Sequence, residues 1–167
     1  MEEHTALDIL KKAILFEKRG EAFYRKVAEQ TDSPEVKEFF EMMAVEEENH
    51  QDVLSEQFKA FKEKGRFNPG EYQTRNAPEV ASEVLTQALR EKISGAGFES
   101  AAISAAVSME ERSVELYGKR AETTDDPEEK KLYQWLSDWE RDHLNILLDM
   151  DRQLTEQIWN DQNFWPF

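Results

Sequence analysis

Residues 17–50 read EKRGEAFYRKVAEQTDSPEVKEFFEMMAVEEENH, and residues 110–143 read EERSVELYGKRAETTDDPEEKKLYQWLSDWERDH. The second stretch repeats the first 93 residues later, and no gap is needed to align them. When the alignment is extended to residues 13–57 and 106–150, 15 of the 45 paired positions are identical. Each stretch begins with a Glu and ends with Glu-x-x-His. The chain is therefore one unit used twice.

Each unit has the pattern of a helical hairpin. In the first unit, apolar side chains recur three and four residues apart, as they do on one face of a helix. The segment TDSPE interrupts this pattern, and there Ser33 can cap a second helix that has Pro34 in its first turn. The segment TDDPE stands at the same place in the second unit. We therefore predict helical hairpins at residues 6–64 and 99–158.

The residues between and after the hairpins differ from them in composition. Residues 65–98 combine turn-forming residues with a short helical pattern that begins at Pro78 and ends near residue 94. A crossover of this length is what places a second hairpin beside the first. Residues 159–167 are rich in aromatic side chains. The prediction is a single all-α domain over residues 1–167, a four-helix bundle of two repeated hairpins joined by a long crossover.

Composition excludes several classes of function. The formal charge of −15 over 167 residues would repel nucleic acid and anionic membrane surfaces. The chain has no cysteine, which excludes disulfides, thiolate nucleophiles and iron–sulfur clusters. The first residues, MEEHTALDIL, lack the basic and then apolar pattern of a signal peptide, and no apolar run is long enough to span a membrane. We expect a cytoplasmic protein that binds neither nucleic acid nor membrane.

The repeat places carboxylates and imidazoles on facing helices. Each hairpin supplies one Glu from its first helix, and a Glu and a His one turn apart from its second. In the first hairpin, Glu17 and Glu47 lie 15 residues on either side of Asp32, so they come level when the helices pair. Four carboxylates and two imidazoles are the ligand set of a dinuclear metal site in a bundle. The predicted metal ligands are Glu17, Glu47, His50, Glu110, Glu140 and His143.

These six residues stand where the apolar pattern calls for core residues. Four ionised carboxylates are not buried together unless cations or protons neutralise them. Hard carboxylates with a few imidazoles suit iron or manganese, and zinc less strictly. A single Glu-x-x-His is more often a surface pair on a helix. Two matched copies, each with a Glu 30 residues upstream of its second Glu, favour a metal site instead.

The neighbours of the predicted ligands receive simpler interpretations. Tyr24 and Tyr117 occupy matching places one to two turns from the first Glu of each hairpin. We interpret them as core aromatics that can also hydrogen-bond to the ligands from the second shell. The four Trp residues are interpreted as packing residues. Solvated helix faces are expected for the remaining nearby acidic residues, which are Glu21, Glu46, Glu48 and Glu111.

Four strings carry a resemblance to a known family. They are LFEKRGEAFYRKVAE at residues 15–29, AVEEENHQDVL at 44–54, SMEERSVELYGKRAE at 108–122 and SDWERDHLNIL at 137–147. Together they resemble the rubrerythrin branch of the ferritin-like di-iron proteins. The resemblance covers both hairpins and therefore most of the chain.

The resemblance implies roles for the six ligands, which would also be the catalytic residues. Glu47 and Glu140 would bridge two iron ions. The terminal ligands would be Glu17 and His50 for one iron, and Glu110 and His143 for the other. The function implied is that of a non-haem di-iron oxidoreductase that reduces peroxide or O2, with peroxide as the leading substrate. Manganese or zinc could substitute for iron.

Two departures from the family pattern stand out. Rubrerythrins of the familiar type carry a rubredoxin domain that delivers electrons, and a chain without cysteine cannot build one. We therefore expect an external electron donor protein. The family also carries an extra Glu one turn after the first ligand of the third helix, where this chain has Ser113. The matching place in the first hairpin is Gly20, so we expect each iron to keep its His in both oxidation states.

Two other functions remain open from the sequence. The first is a ferroxidase centre that feeds iron storage, which needs a hollow shell of many subunits. The second is a helical interaction module whose metal site is vestigial or structural. For the protein itself we expect a homodimer or a larger homo-oligomer. Particle size and metal content distinguish these alternatives from the oxidoreductase.

Overall fold

The computed structural model describes residues 5–72, 92–93 and 97–161. These ranges contain four long helices: α1 (Ala6–Gln30), α2 (Pro34–Lys64), α3 (Phe98–Thr123) and α4 (Pro127–Asp161). The predicted all-α four-helix bundle is confirmed. Among the described helices, none combines the length and the apolar character needed to cross a membrane. The short helix predicted from Pro78 falls almost wholly outside the described residues.

Local signals in the sequence place the helix ends. The hydroxyl of Thr5 accepts a hydrogen bond from the backbone N–H of Asp8 and donates one to its carboxylate, at 3.3 and 2.7 Å. Ser33 caps α2 by accepting from the backbone N–H of Val36 at 3.5 Å. Gly65 ends α2 with a φ of 68°, in the left-handed region that glycine enters without a steric penalty.

Helix α4 is longer than the sequence pattern predicts. The prediction ended it at residue 158, whereas the structure continues it to Asp161. Residues 159–161 therefore belong to the helix and not to a separate aromatic tail. The physical reason is that the nearest helix breaker is Pro166, so nothing in the sequence ends the helix earlier. The rest of the predicted tail, residues 162–167, lies outside the described residues.

The hairpins lie head to tail. Helix α1 packs along α2, helix α3 packs along α4, and α1 approaches α3. Residues from the start of α1 share an apolar cluster with residues from the end of α3, so these two helices are antiparallel. Two apolar clusters result, one toward each end of the bundle, and the carboxylates lie between them. Representative members are Val27, Phe40, Met43, Ile103 and Leu147 in one cluster, and Leu10, Leu54, Tyr117, Leu132 and Leu136 in the other.

Candidate metal centre

The six predicted ligands converge in the middle of the bundle, and each is at most 3% exposed. They form two groups of four in which one ligand atom from every residue lies within 4.8 Å of the others. Each group contains one His. Glu47 and Glu140 belong to both groups. The groups are Glu17, Glu47, His50 and Glu140, and Glu47, Glu110, Glu140 and His143.

Glu140 stands between the two histidines. Its Oε1 lies 3.0 Å from Nδ1 of His50, and its Oε2 lies 3.3 Å from Nδ1 of His143. The Nδ1 atom of His50 is also 3.0 Å from Oε2 of Glu17. The Nδ1 atom of His143 is 3.9 Å from Oε1 of Glu47. A carboxylate whose two oxygens face different imidazoles has the arrangement that bridges two metal ions.

Several buried polar atoms of the centre lack a hydrogen-bond partner among the described residues. They include Nδ1 of His143 and both carboxylate oxygens of Glu140, which approach the two imidazoles closely but without hydrogen-bond geometry. Buried polar atoms in folded proteins nearly always have a partner. Unpaired acceptors that converge in this way would be satisfied by cations. The residues therefore fit a pair of hard divalent metal ions such as iron or manganese.

Burial and crowding shift the pKa values of these groups in different directions. Burial raises the pKa of Glu47 well above its usual value, and repulsion from Glu140 and Glu17 adds to this. Burial, followed by Glu140, raises the pKa of Glu110 in the same way. Burial also raises the pKa of Glu140, but the imidazoles of His50 and His143 outweigh burial and hold this pKa well below the usual range.

The two imidazoles respond to the same carboxylates. Burial lowers the pKa of His50, but Glu140 and Glu17 outweigh it and raise the pKa to about 9. The pKa of His143 is raised well above its usual value, because Glu140 and Glu46 outweigh burial. In the metal-free protein, these shifts favour the protonated forms of Glu47, Glu110 and both imidazoles. Metal ions must displace these protons to bind.

Two tyrosines donate hydrogen bonds to carboxylates of the centre. The hydroxyl of Tyr24 donates to Oε1 of Glu110, and the hydroxyl of Tyr117 donates to Oε1 of Glu17. Both rings are fully buried. Burial, followed by the neighbouring carboxylates, raises both tyrosine pKa values well above 10, so the hydroxyls keep their protons. Each tyrosine comes from the opposite hairpin, so these bonds tie the two halves together at the centre.

The expectation for Glu46 was wrong. The sequence pattern placed it on a solvated helix face, but its Oε2 contacts Nε2 of His143 and its side chain is only 17% exposed. The partner lies on α4, so no spacing within α2 could have indicated the contact. Glu48 is exposed, as expected, and pairs with Arg25. Glu21 also pairs with Arg25, but its side chain is only 23% exposed.

The interpretation of the tryptophans as packing residues was incomplete. The ring centroids of Trp135 and Trp139 both lie 5.5 Å from that of His50, at interplanar angles of 81° and 89°. The indole Nε1 of Trp139 also lies 3.1 Å from Nε2 of His143. Nε2 of His143 accepts a hydrogen bond from the indole N–H only when Nε2 carries no proton. When Nε2 is protonated, it donates to Glu46 instead, and the indole bond is absent. The two indoles form a wall of the centre on the histidine side.

A first cavity of about 320 Å³ reaches the centre between α1 and α3. Glu47 and Glu110 line it together with Gly20 and Ser113. A Cβ at Gly20 would lie 3.1 Å from Cδ of Glu47, so the glycine makes room for this carboxylate. Ser113, where the resemblance predicts a further Glu, therefore lies beside two of the predicted ligands.

A second cavity of about 360 Å³ lies on the other side, between α2 and α4. His50 and Trp139 line it where it meets the centre. The other lining residues that carry charge are acidic: Glu46, Asp52 and Glu71. The centre is thus bordered by an acidic cavity beside His50 and by the first cavity beside Glu47 and Glu110.

Comparison with protein families tests the family resemblance of the four sequence segments quoted above. The model of the rubrerythrin family matches residues 8–150, which is most of the chain. The chain belongs to the rubrerythrin family. The matched range includes all six converging residues, from Glu17 to His143. The buried cluster is therefore the candidate metal centre of a rubrerythrin-family protein.

Among solved structures, this rubrerythrin-family chain is similar to a ferritin-like diiron-carboxylate protein from Thermotoga maritima. The two share 24% identity over 91% of this chain and 98% of the other, with a TM-score of 0.62. At that level of identity the likeness supports the ferritin-like fold. A search of the curated proteins gave no match.

Proposed function

We propose that this chain is a non-haem di-iron oxidoreductase of the rubrerythrin type, which reduces peroxide, or O2, at the buried centre. The observation that carries the proposal is the pair of four-ligand groups that share Glu47 and Glu140. Two shared carboxylates would hold two ions close enough to engage one dioxygen unit. Two iron ions, when bound, would supply the two electrons that convert one hydrogen peroxide and two protons into two water molecules.

The residues divide into bridges and terminal ligands. In the proposal, Glu47 and Glu140 would hold both ions, because each belongs to both groups. Glu17 and His50 complete one position, since their side chains lie 3.0 Å apart. Glu110 and His143 complete the other position. Manganese or zinc could occupy the same ligands.

The first cavity gives a small oxidant a path to the centre. It ends at Glu47 and Glu110, between α1 and α3, whereas the histidines lie toward α2 and α4. Gly20 and Ser113 keep this path open, because neither projects a long side chain into it. Arg19 and Arg112 also line the cavity. Peroxide is small and uncharged, so it needs no charged partner to enter.

The electrons would come from an external donor protein. The 167 residues contain no cysteine, so they hold no iron–thiolate centre to relay electrons. Tyr24 and Tyr117 keep their protons and hold the terminal carboxylates in place during the reaction. Their role is therefore orientation of the ligands.

The direct test loads the apo protein with iron(II) without oxygen and mixes it rapidly with hydrogen peroxide or with O2 in parallel. We expect one peroxide to be consumed per two irons oxidised, faster than with O2, and repeated turnover when a reductant is supplied. Glu47→Ala should lose both ions, since a bridge serves both, whereas His50→Ala should weaken mainly one. Glu48→Gln is the matched control, because Glu48 is exposed on the same helix.

Three results would count against the proposal. Failure to bind iron would remove the metal centre. Normal binding of two irons by Glu47→Ala would remove the bridging assignment. Rapid oxidation by O2 without peroxide turnover, in a hollow multi-subunit particle that accumulates iron, would favour storage over reduction.

A further inference from the structure

The repeat breaks at the position that directly precedes the second Glu of each unit. Glu46 directly precedes Glu47, and 93 residues later the residue that directly precedes Glu140 is Trp139. The six ligands all obey the repeat. The two metal positions therefore have equivalent ligands but unequal neighbours.

At the His143 position, the imidazole has a carboxylate partner. Its Nδ1 faces Oε2 of Glu140 at 3.3 Å, and its other nitrogen, Nε2, contacts Oε2 of Glu46. A metal ion on Nδ1 leaves the proton on Nε2, where Glu46 accepts it. Such a carboxylate fixes the tautomer and the ring orientation, and it makes the imidazole a stronger ligand.

At the His50 position, the equivalent partner is missing among the described residues. Its Nδ1 lies 3.0 Å from Glu17 and Glu140, but its Nε2 is buried without a hydrogen-bond partner there. The residue in the equivalent place is Trp139, whose ring stands edge-on to the imidazole at 5.5 Å. An indole has one N–H donor and no acceptor, so it cannot accept the proton of Nε2.

The second cavity lies on the same side. Its lining joins His50 to the acidic residues Glu46, Asp52 and Glu71, and it does not include His143. Acidic walls raise the local concentration of cations. Of the two histidines, His50 alone is among the described lining residues, so a cation that enters here reaches the His50 position directly.

We infer that the two metal positions are inequivalent: the His143 position retains its ion, and the His50 position binds more weakly and exchanges its ion through the acidic cavity. Glu46 is then a positioning residue that acts through His143. The inference rests on the proposed metal centre, but it concerns the difference between the two positions and not their existence.

The test is calorimetric titration of the apo protein with zinc, which is redox-inactive. We expect two binding events of one ion each, with affinities at least about tenfold apart. Glu46→Gln should weaken the tighter event by about 10–100-fold and leave the weaker one unchanged. A general structural role for Glu46 would weaken both events. Glu48→Gln, the exposed neighbour on the same helix, is the matched control.

Replacing Trp139 by the Glu of the first unit tests the inference at the His50 position. Trp139→Glu should strengthen the weaker event, whereas Trp139→Phe, which keeps an aromatic ring, should not. If Trp139→Glu fails to fold, two variants that each remove one histidine still test the inference. His50→Ala should keep one slowly exchanging ion, and His143→Ala should keep one rapidly exchanging ion, both measured by isotope exchange. Asp52→Asn, which leaves all six predicted ligands in place, should slow exchange of the ion at the His50 position.

The outcomes distinguish a failure of the inequivalence from a failure of the metal centre itself. Two ions of equal affinity and equal exchange rate, or equal weakening of both events by Glu46→Gln, would overturn the inequivalence and leave the metal centre standing. An absence of zinc and iron binding in the unmodified protein would instead overturn the proposed metal centre.

Discussion

Gly20 shows how one residue makes space for the centre. Glycine within a helix is less favourable than alanine by about 0.5–1 kcal/mol, so its place in the middle of α1 needs a reason. A Cβ there would lie 3.1 Å from Cδ and 3.2 Å from Oε2 of Glu47. The glycine therefore allows the carboxylate of Glu47 to lie against the backbone of α1.

Gly20→Ala should displace Glu47 and weaken metal binding by roughly tenfold, the lower end of what disturbed ligand support causes. Metal titration of the apo protein measures this. Gly118→Ala is the matched control, because a Cβ at that position of α3 would meet Ser137 at an ordinary 3.4 Å. The control should bind metal normally. Equal affinities for the two variants would show that Glu47 does not depend on the glycine.

The tyrosine hydroxyls give a second prediction at the scale of single residues. Tyr117→Phe leaves an oxygen of Glu17 without its donor, and we expect a loss of about 1–3 kcal/mol of apo stability together with weaker metal binding. Denaturant unfolding and metal titration measure the two effects. Tyr133→Phe is the control, since the buried Tyr133 hydroxyl has no hydrogen-bond partner among the described residues. If both variants behave alike, the Tyr117 hydrogen bond contributes little.

At the scale of helices, the two hairpins are closed by different interactions near their turns. In the second hairpin, Arg120 donates two hydrogen bonds of 2.8 Å to the buried carboxylate of Glu129, which also accepts from Thr124. The equivalent residues of the first hairpin are Val27 and Val36, which are buried in its apolar cluster. The same helix pairing is thus stabilised by an ion pair in one copy and by apolar packing in the other.

Glu129→Ala should destabilise the apo bundle by about 3 kcal/mol, because it leaves a partly buried guanidinium without its partner. The double variant Arg120→Val with Glu129→Val, which copies the first hairpin, should be close to neutral or stabilising. Denaturant unfolding measures both. Lys131→Ala removes an exposed ion pair with Glu128 and should change stability by about 0.5 kcal/mol or less. A Glu129→Ala loss no larger than that of this control would contradict the prediction.

At the scale of the whole molecule, the protons of the centre couple stability to pH. The pKa values of Glu47 and Glu110 are raised, so their protonated forms stabilise the apo fold at low pH and this contribution falls as pH rises above about 4.5. The pKa of His50 is raised to about 9, so its contribution is complete below about 6.5 and is lost as pH rises through 9. The pKa of Glu140 is lowered, so its ionised form stabilises the apo fold at higher pH. This contribution to stability is lost as pH falls below about 4.5.

The apo bundle should therefore lose stability between pH 5 and pH 9, and melting temperatures across that range measure the loss. Metal-loaded protein should melt higher and depend less on pH, because metal ions replace the protons and bind only the folded centre. Glu47→Gln should reduce the slope for the apo protein. Equal melting temperatures for the apo and loaded forms would contradict a filled buried centre.

The sequence alone determined the features that depend on close neighbours along the chain. The caps at Thr5 and Ser33 and the stop at Gly65 involve residues at most a few positions apart, and a helix forms or ends on such contacts. The 93-residue repeat then placed six ligand-type residues on matching helical faces. The end of α4 was misplaced by three residues, because helix ends without a breaker carry a weak local signal.

Only the tertiary structure decided the contacts around the ligands. The contact of Glu46 with His143, the edge of Trp139 on His50, and the bonds of the tyrosines to carboxylates of the opposite hairpin all join helices from different halves. Helical periodicity states which residues of one helix share a face, but not how that helix is rotated and tilted against a partner. Residues at the border of an inward face, such as Glu46, therefore gain their neighbours only when the two hairpins pack.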